Sequence, residues 1–152
     1  MCIRDRREAD IVLRLSRPDD HSLVVRRVGE VTYRAYAAPD YLATHPVADR
    51  GFIGLSHELD EAPNQQWLKQ LAGDRPLLLR SNDLVTQCAA AQAGVGVAAL
   101  PTFLARSIGP ELVEADPASF RRDAWIAFHR DLRGAPHVSA VVAFLAECMR
   151  GA

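Results

Sequence analysis

Three small polar residues, Ser81, Asn82 and Asp83, have the types and the setting of a binding or capping site. They follow Leu77–Arg80, a stretch typical of a strand, and precede residues 84–93, which are typical of a helix. Such side chains cap helix N-termini, where hydroxyl, amide and free backbone N–H groups together favour an anion such as a carboxylate. The sequence favours an ordinary helix cap over a ligand site, and both interpretations stay open.

The other chemically interesting residues lack the spacing of a catalytic, metal or nucleotide site. Residues 94–99 (GVGVAA) match a dinucleotide-binding pattern, but a helix precedes them and a strand follows, which is the reverse of the required order. Ser56 lacks the second glycine of a nucleophile elbow, and the five histidines and three cysteines show no ligand or redox spacing. We therefore expect no catalytic residue, no bound metal and no cofactor, so the protein is not expected to be an enzyme.

The composition is that of an ordinary globular protein, with 49% hydrophobic and 24% charged residues, which is enough to bury a core. The 18 basic and 19 acidic residues give a net charge of −1. Because DNA binding needs clustered Lys and Arg, we expect no direct DNA contact from this chain. No apolar run has the length of a membrane span, and the charged residues 1–7 lack the apolar region of a secretory signal, so we expect a cytoplasmic protein without a membrane partner.

Strands and helices alternate along the chain, which predicts an α/β fold. Gly29 and Glu30 are expected to join two short strands, and Gly94 is expected to end the helix that starts after Asp83. Gly96 is expected to let the next strand pack closely against its neighbour. The predicted strands are residues 9–15, 23–28, 31–37, 51–56, 77–80, 95–100, 111–114 and 124–129. The predicted helices are 40–45, 66–71, 84–93, 101–106 and one that starts at Pro136 with the apolar positions Val138, Val141, Val142, Leu145 and Met149.

Three long stretches carry a resemblance to a known family. They are residues 9–46 (ADIVLRLSRPDDHSLVVRRVGEVTYRAYAAPDYLATHP), 81–105 (SNDLVTQCAAAQAGVGVAALPTFLA) and 125–145 (WIAFHRDLRGAPHVSAVVAFL). In order and spacing they resemble the effector-binding domain of bacterial LysR-type transcriptional regulators. The resemblance implies a fold like the type 2 periplasmic-binding proteins, with two α/β lobes and a ligand cleft between them. Lobe 1 would comprise residues 9–28 and 124–150, and lobe 2 about 38–105.

The resemblance also implies that some elements of the family, which would come before Ala9, are missing from this chain. These are the winged helix-turn-helix, the linker helix and the first strand and helix of lobe 1. Lobe 1 would then be incomplete, and DNA would be contacted only through the missing N-terminal domain of a homo-oligomeric regulator. Residues 1–8 are expected to be a non-native or disordered start. An incomplete lobe exposes a sheet edge and apolar faces, which predicts poor solubility.

By position, the resemblance implies a small-molecule effector site at the cleft. Arg14 and Ser16 would end a lobe 1 strand, and Ser81, Asn82 and Asp83 would lie at the start of a lobe 2 helix. Leu100, Pro101 and Phe103 would follow the return strand of lobe 2. His129 would end the late strand of lobe 1. A carboxylate-bearing metabolite is expected, since an arginine and a helix N-terminus both attract anions. Two alternatives stay open: a solute-binding protein of the same fold that serves transport, and an enzyme built on the two-lobed fold.

Overall fold

The computed structural model describes residues 9–150, so the prediction for residues 1–8 lies outside the described residues. Within this range strands and helices alternate, which confirms the α/β fold. The strands are β1 (Ile11–Arg14), β2 (Leu23–Ala37), β3 (Phe52–Gly54), β4 (Leu77–Arg80), β5 (Val97–Pro101) and β6 (Val113–His129). The α-helices are α1 (Pro39–Thr44), α2 (Pro63–Ala72), α3 (Leu84–Gln92), α4 (Thr102–Ile108) and α5 (Pro136–Arg150). None of the described helices is long and apolar enough to cross a membrane.

The chain divides into two compact units. The described part of unit 1 comprises residues 9–31 and 121–150, and unit 2 comprises Thr32–Phe120. Two long strands, β2 with 15 residues and β6 with 17, belong in part to each unit. Hydrogen bonding orders the strands β1-β6-β2-β5-β3-β4.

The predicted breaks within β2 and β6 are wrong, because each is one continuous strand. The sequence at Gly29 and Glu30 indicated a connection between two strands, and no predicted element covered residues 115–123. Cross-strand ion pairs contribute to holding these polar stretches in the sheet. In unit 1 the Arg27 guanidinium lies 2.7 Å from Asp123, and that of Arg121 lies 3.4 Å from Glu30. These contacts join residues far apart in sequence, which a local pattern does not reveal.

Unit 1 is built on an antiparallel ladder between β1 and β6, in which Ile11 faces Phe128 and Arg14 faces Trp125. Helix α5 packs against this ladder through Val138 and Val142, which are buried with Ile126. The apolar spacing of α5 correctly predicts these two core positions. Two further apolar side chains of the helix, Val141 and Phe144, are exposed, so the predicted core position of Val141 is wrong.

Unit 2 has a sheet in which β3 runs parallel to both β4 and β5, while β5 pairs antiparallel with β2. Its central strands are continuous apolar runs, as expected for strands that are covered on both faces. One buried cluster packs residues of α1 and α2 against the sheet, and the other packs residues of α3 and α4 against it. Because β3, β4 and β5 run parallel, their carboxyl ends emerge at one edge of this sheet.

Two glycine predictions in unit 2 are confirmed. Gly94 has φ +75°, the left-handed conformation that glycine adopts most readily after a helix, and it ends α3. A Cβ atom at Gly96 would lie 2.7 Å from the backbone oxygen of Gly51, so only glycine allows this approach to β3. The start of α2 is earlier than predicted, because Pro63 occupies the first turn, where a missing N–H costs nothing.

Candidate functional site

Polar side chains meet where β3 and β4 end in unit 2. The backbone N–H of Ser56 donates to Asn82 Oδ1 at 3.0 Å, and the Ser56 hydroxyl donates to the same oxygen at 2.8 Å. The backbone N–H of Ser81 donates to the Gly54 carbonyl at 2.9 Å, which ties the two strand ends together. Asn82 is exposed. The sequence predicted Asn82 as a site residue. The structure adds Ser56, which donates hydrogen bonds to the side-chain oxygen of Asn82.

Asp83 is the N-cap of α3, so the helix-cap interpretation is confirmed. Its carboxylate accepts from the backbone N–H of Val85 at 3.3 Å and of Thr86 at 3.0 Å. The Thr86 hydroxyl donates to it at 2.6 Å and is the largest cause of the lowered pKa of Asp83. Two helix N–H groups that could attract an anion are thus already bound by a carboxylate of the protein itself.

Glu58 belongs to the same group of side chains, although the sequence gave no reason to choose it. Its Oε1 accepts from the Asn82 side-chain amide at 3.2 Å and lies 2.9 Å from the Ser56 hydroxyl oxygen, whose single hydrogen it shares with Asn82 Oδ1. We call Ser56, Glu58, Ser81, Asn82 and Asp83 the strand-end cluster. Only the parallel pairing of β3 and β4 could have identified Glu58, because it places a residue after β3 beside one after β4.

Asp60 anchors the loop that follows β3. The Arg80 guanidinium lies 2.9 Å from Asp60 Oδ1, and the Lys69 ammonium lies 3.0 Å from Oδ2. Hydrogen bonds from Arg80, and secondarily from Lys69, lower the pKa of Asp60 to about 2. Arg80 also donates to the Leu55 carbonyl at 3.1 Å, so it binds the loop at two points. The loop that carries Ser56 and Glu58 is thereby fixed to β4 and α2.

Replacement of Asp60 by asparagine is expected to make the free energy of unfolding depend less on pH in the acid range. The ordinary pKa of 3.8 falls to about 2 in the folded protein, so the ionised carboxylate stabilises the fold above pH 3.8. That stabilisation is lost as the pH falls from 3.8 towards 2, because the unfolded chain then binds about one more proton at this site. Urea unfolding of Asp60→Asn should show lower stability at neutral pH and a flatter profile across this window. Exposed Asp74→Asn is the control, and an acid profile equal to wild type in Asp60→Asn would contradict the role of the ion pairs.

The predicted site residues after β5 have different environments. Leu100 is 0% exposed and lies in a core cluster with Ile53 and Cys88. Pro101 is also buried and faces Tyr33 in the β2–β5 ladder. Phe103, in the first turn of α4, is exposed. Of these three predicted residues, the structure leaves only Phe103 accessible.

The predicted site residues of unit 1 do not all lie together. Arg14 faces Trp125 in the ladder, whereas Ile11 faces Phe128, so His129 lies beyond the opposite end of β1 from Arg14 and Ser16. His129 borders a separate cavity of about 350 Å³. Its other lining residues lie in or just before β1, at or just before the start of β2, and at or just after the end of β6: Ala9, Asp10, Val12, Asp20, Ser22, Leu23, Ala127, Phe128, Asp131 and Leu132. In residues 9–150 no group of three His, Cys, Asp or Glu side chains could hold a metal ion.

Sequence comparison identifies relatives over most of the chain. Residues 4–150 match the family model described as the LysR substrate binding domain. The chain is 30% identical over 144 residues to the Mau operon transcriptional activator of Paracoccus denitrificans. That alignment covers 91% of this chain and 48% of the activator. The chain thus spans about half the length of this curated relative.

Solved structures share the fold at low sequence identity. Full-length LysG from Corynebacterium glutamicum with bound effector Arg superposes with a TM-score of 0.71 at 14% identity, over 95% of this chain and 52% of that one. The regulatory domain of CrgA, a LysR-type regulator from Neisseria meningitidis, gives 0.67 at 20% identity, over 94% and 76%. The fold is therefore that of the two-lobed effector-binding domains, like the periplasmic-binding proteins.

Proposed function

The chain belongs to the family of LysR substrate-binding domains, and we propose that it senses a small-molecule effector for a transcriptional regulator. The family match over residues 4–150 is the observation that carries this proposal. The curated relative is a transcriptional activator, which supports regulation over solute transport. In this proposal DNA is contacted by another part of the regulator, and the regulator works as a homo-oligomer.

The proposed effector contacts are Asn82 and Ser81 of unit 2, while Arg14 and Ser16 of unit 1 stay contacts implied by the family resemblance. The position of Ser81 and of exposed Asn82 directly after β4, which runs parallel to β3, supports the choice in unit 2, because α/β proteins bind ligands there. Leu100 and Pro101 are left out because they are buried, and His129 because the β1–β6 ladder separates it from Arg14. The cleft between lobes that the resemblance implies stays a prediction.

The proposed effector carries a carboxylate and also a hydrogen-bond donor such as an amino group. Arg14 supplies a cation for the carboxylate. Two helix N–H groups of α3 are taken by Asp83, and Glu58 adds a second negative charge to the strand-end cluster. These charges favour an amino group over a second acid. A free amino acid fits both requirements, and LysG, which shares the fold, is described with bound effector Arg.

Signalling in this proposal is a shift of conformational populations. An effector that binds one arrangement of the protein more tightly than another shifts the equilibrium towards the first arrangement. The equilibrium constant can change by at most the ratio of the two affinities. The change is then passed to the other subunits and to the DNA-binding part. An effector with equal affinity for both arrangements would change nothing.

A thermal-shift screen of the full chain with free amino acids and small carboxylic acids tests the proposal. A compound present at about 100 times its Kd adds about 2.7 kcal/mol to the free energy of unfolding. For a chain of this size, that corresponds to a rise in Tm of roughly 5–10 °C. The amide of the best compound, which lacks the carboxylate, is the control and should raise the Tm less. A screen in which no compound raises the Tm would count against effector binding by this chain.

A further inference from the structure

Gln65, in the first turn of α2, is a buried amide that the proposed site does not yet explain. It is 1% exposed, and its Oε1 accepts from the backbone N–H of Leu55 at 2.9 Å. Because Leu55 supplies a donor, the amide oxygen must face it, which fixes the orientation of the amide. Among residues 9–150, Gln65 Nε2 has no hydrogen-bond partner. An unpaired buried donor is costly, and leucine or methionine would remove it only by leaving the buried Leu55 N–H without its acceptor. Packing alone therefore does not account for glutamine at this position.

The amide of Gln65 lies against the last residue of β3. A Cβ atom at Gly54 would be 3.0 Å from both terminal atoms of Gln65, a distance at which the neighbour must move. The carbonyl of Gly54 accepts from the backbone N–H of Ser81 at 2.9 Å. The hydrogen bond from Leu55 to Gln65 and the hydrogen bond from Ser81 to Gly54 thus fix the backbone at Gly54 and Leu55, immediately before the strand-end cluster begins.

The next residue connects this arrangement to the cluster. The backbone N–H and the hydroxyl of Ser56 both donate to Asn82 Oδ1, so the direction of the Asn82 side chain depends on the backbone at Ser56. We propose that Gln65 is a positioning residue of the effector site, which sets the turn at Leu55 and Ser56 and thereby orients Asn82. The inference rests on the proposed function, in which Asn82 contacts the effector.

Nuclear magnetic resonance of the full chain without ligand tests this role. In Gln65→Met the Leu55 amide loses its acceptor, so its hydrogen exchange should accelerate about tenfold or more, and the side-chain amide signals of Asn82 should shift. Gln65→Glu keeps an acceptor for Leu55 and should restore the wild-type signals in part. Gly54→Ala keeps the glutamine but displaces its amide, so it should reproduce the shift at Asn82. This variant also serves as the test if Gln65→Met does not fold.

Leu68→Met is the matched control. Leu68 Cδ2 would lie 3.3 Å from a Cβ atom at Gly54, so it packs against the same glycine without a hydrogen bond to Leu55. This variant should change the Tm while leaving the Asn82 signals in place. If Gln65→Met or Gly54→Ala changes only the Tm and not the signals of Asn82, Gln65 is a core residue and the inference is overturned. Because no ligand is present, this outcome is independent of whether the effector screen succeeds.

Discussion

Leu100→Ala is expected to lower the free energy of unfolding by about 2–5 kcal/mol, the usual cost of removing a large buried side chain. Leu100 is 0% exposed and packs with Ile53 and Cys88 between the sheet and α3. The cavity left by the truncation would lie near the end of β5, where pairing of Leu100 with Arg34 of β2 and packing against α3 limit relaxation. Urea unfolding followed by tryptophan fluorescence measures the change, since Trp67 lies in unit 2 and Trp125 in unit 1.

Val85→Ala is the control for Leu100, because Val85 is an apolar side chain of unit 2 that is 55% exposed. Its truncation should change stability by no more than about 0.5 kcal/mol. The family resemblance implies instead that Leu100 contacts the ligand. If Leu100→Ala keeps wild-type stability but removes the response to an effector, that implication is right and the assignment of Leu100 to the core is wrong.

Asn82→Ala is expected to weaken effector binding by about tenfold or more, while the Tm of the free protein changes little. Removal of one partner from a hydrogen bond to a ligand costs about 1–3 kcal/mol, and 1.4 kcal/mol is tenfold in affinity. Asn82 is exposed, so its truncation leaves no cavity. Thr86→Val is the matched control, since it removes a hydroxyl that donates to Asp83 at 2.6 Å in the same helix turn. The control should keep the wild-type affinity within about threefold.

Local chemistry was sufficient to predict much of the fold. Asp83 was recognisable as a helix cap and Gly94 as a helix end, because a side chain or a backbone conformation acts there within a few residues. The unbroken strands β2 and β6 were not predictable in this way. Their continuity depends on pairing with strands distant in sequence, whereas Gly29 and Glu30 indicated a connection and no predicted element covered residues 115–123.

The candidate site was predictable only in part. Asn82 was identified because a polar residue between a strand and a helix is recognisable in sequence. Ser56 and Glu58 were missed because their contacts with Asn82 join residues 26 and 24 positions apart. The resemblance placed Leu100 and His129 near the ligand by position along the chain. Burial of Leu100 and the ladder register at His129 are properties of the packed protein, which residue type does not reveal.

The most direct test of effector binding at the strand-end cluster is calorimetric titration with the compound that raises the Tm most. Wild-type protein, Asn82→Ala and Thr86→Val would be titrated under the same conditions. We predict one binding site in the wild type, about tenfold or weaker affinity in Asn82→Ala, and near wild-type affinity in Thr86→Val. Equal affinity in wild type and Asn82→Ala would show that the compound binds elsewhere and would contradict the proposed site.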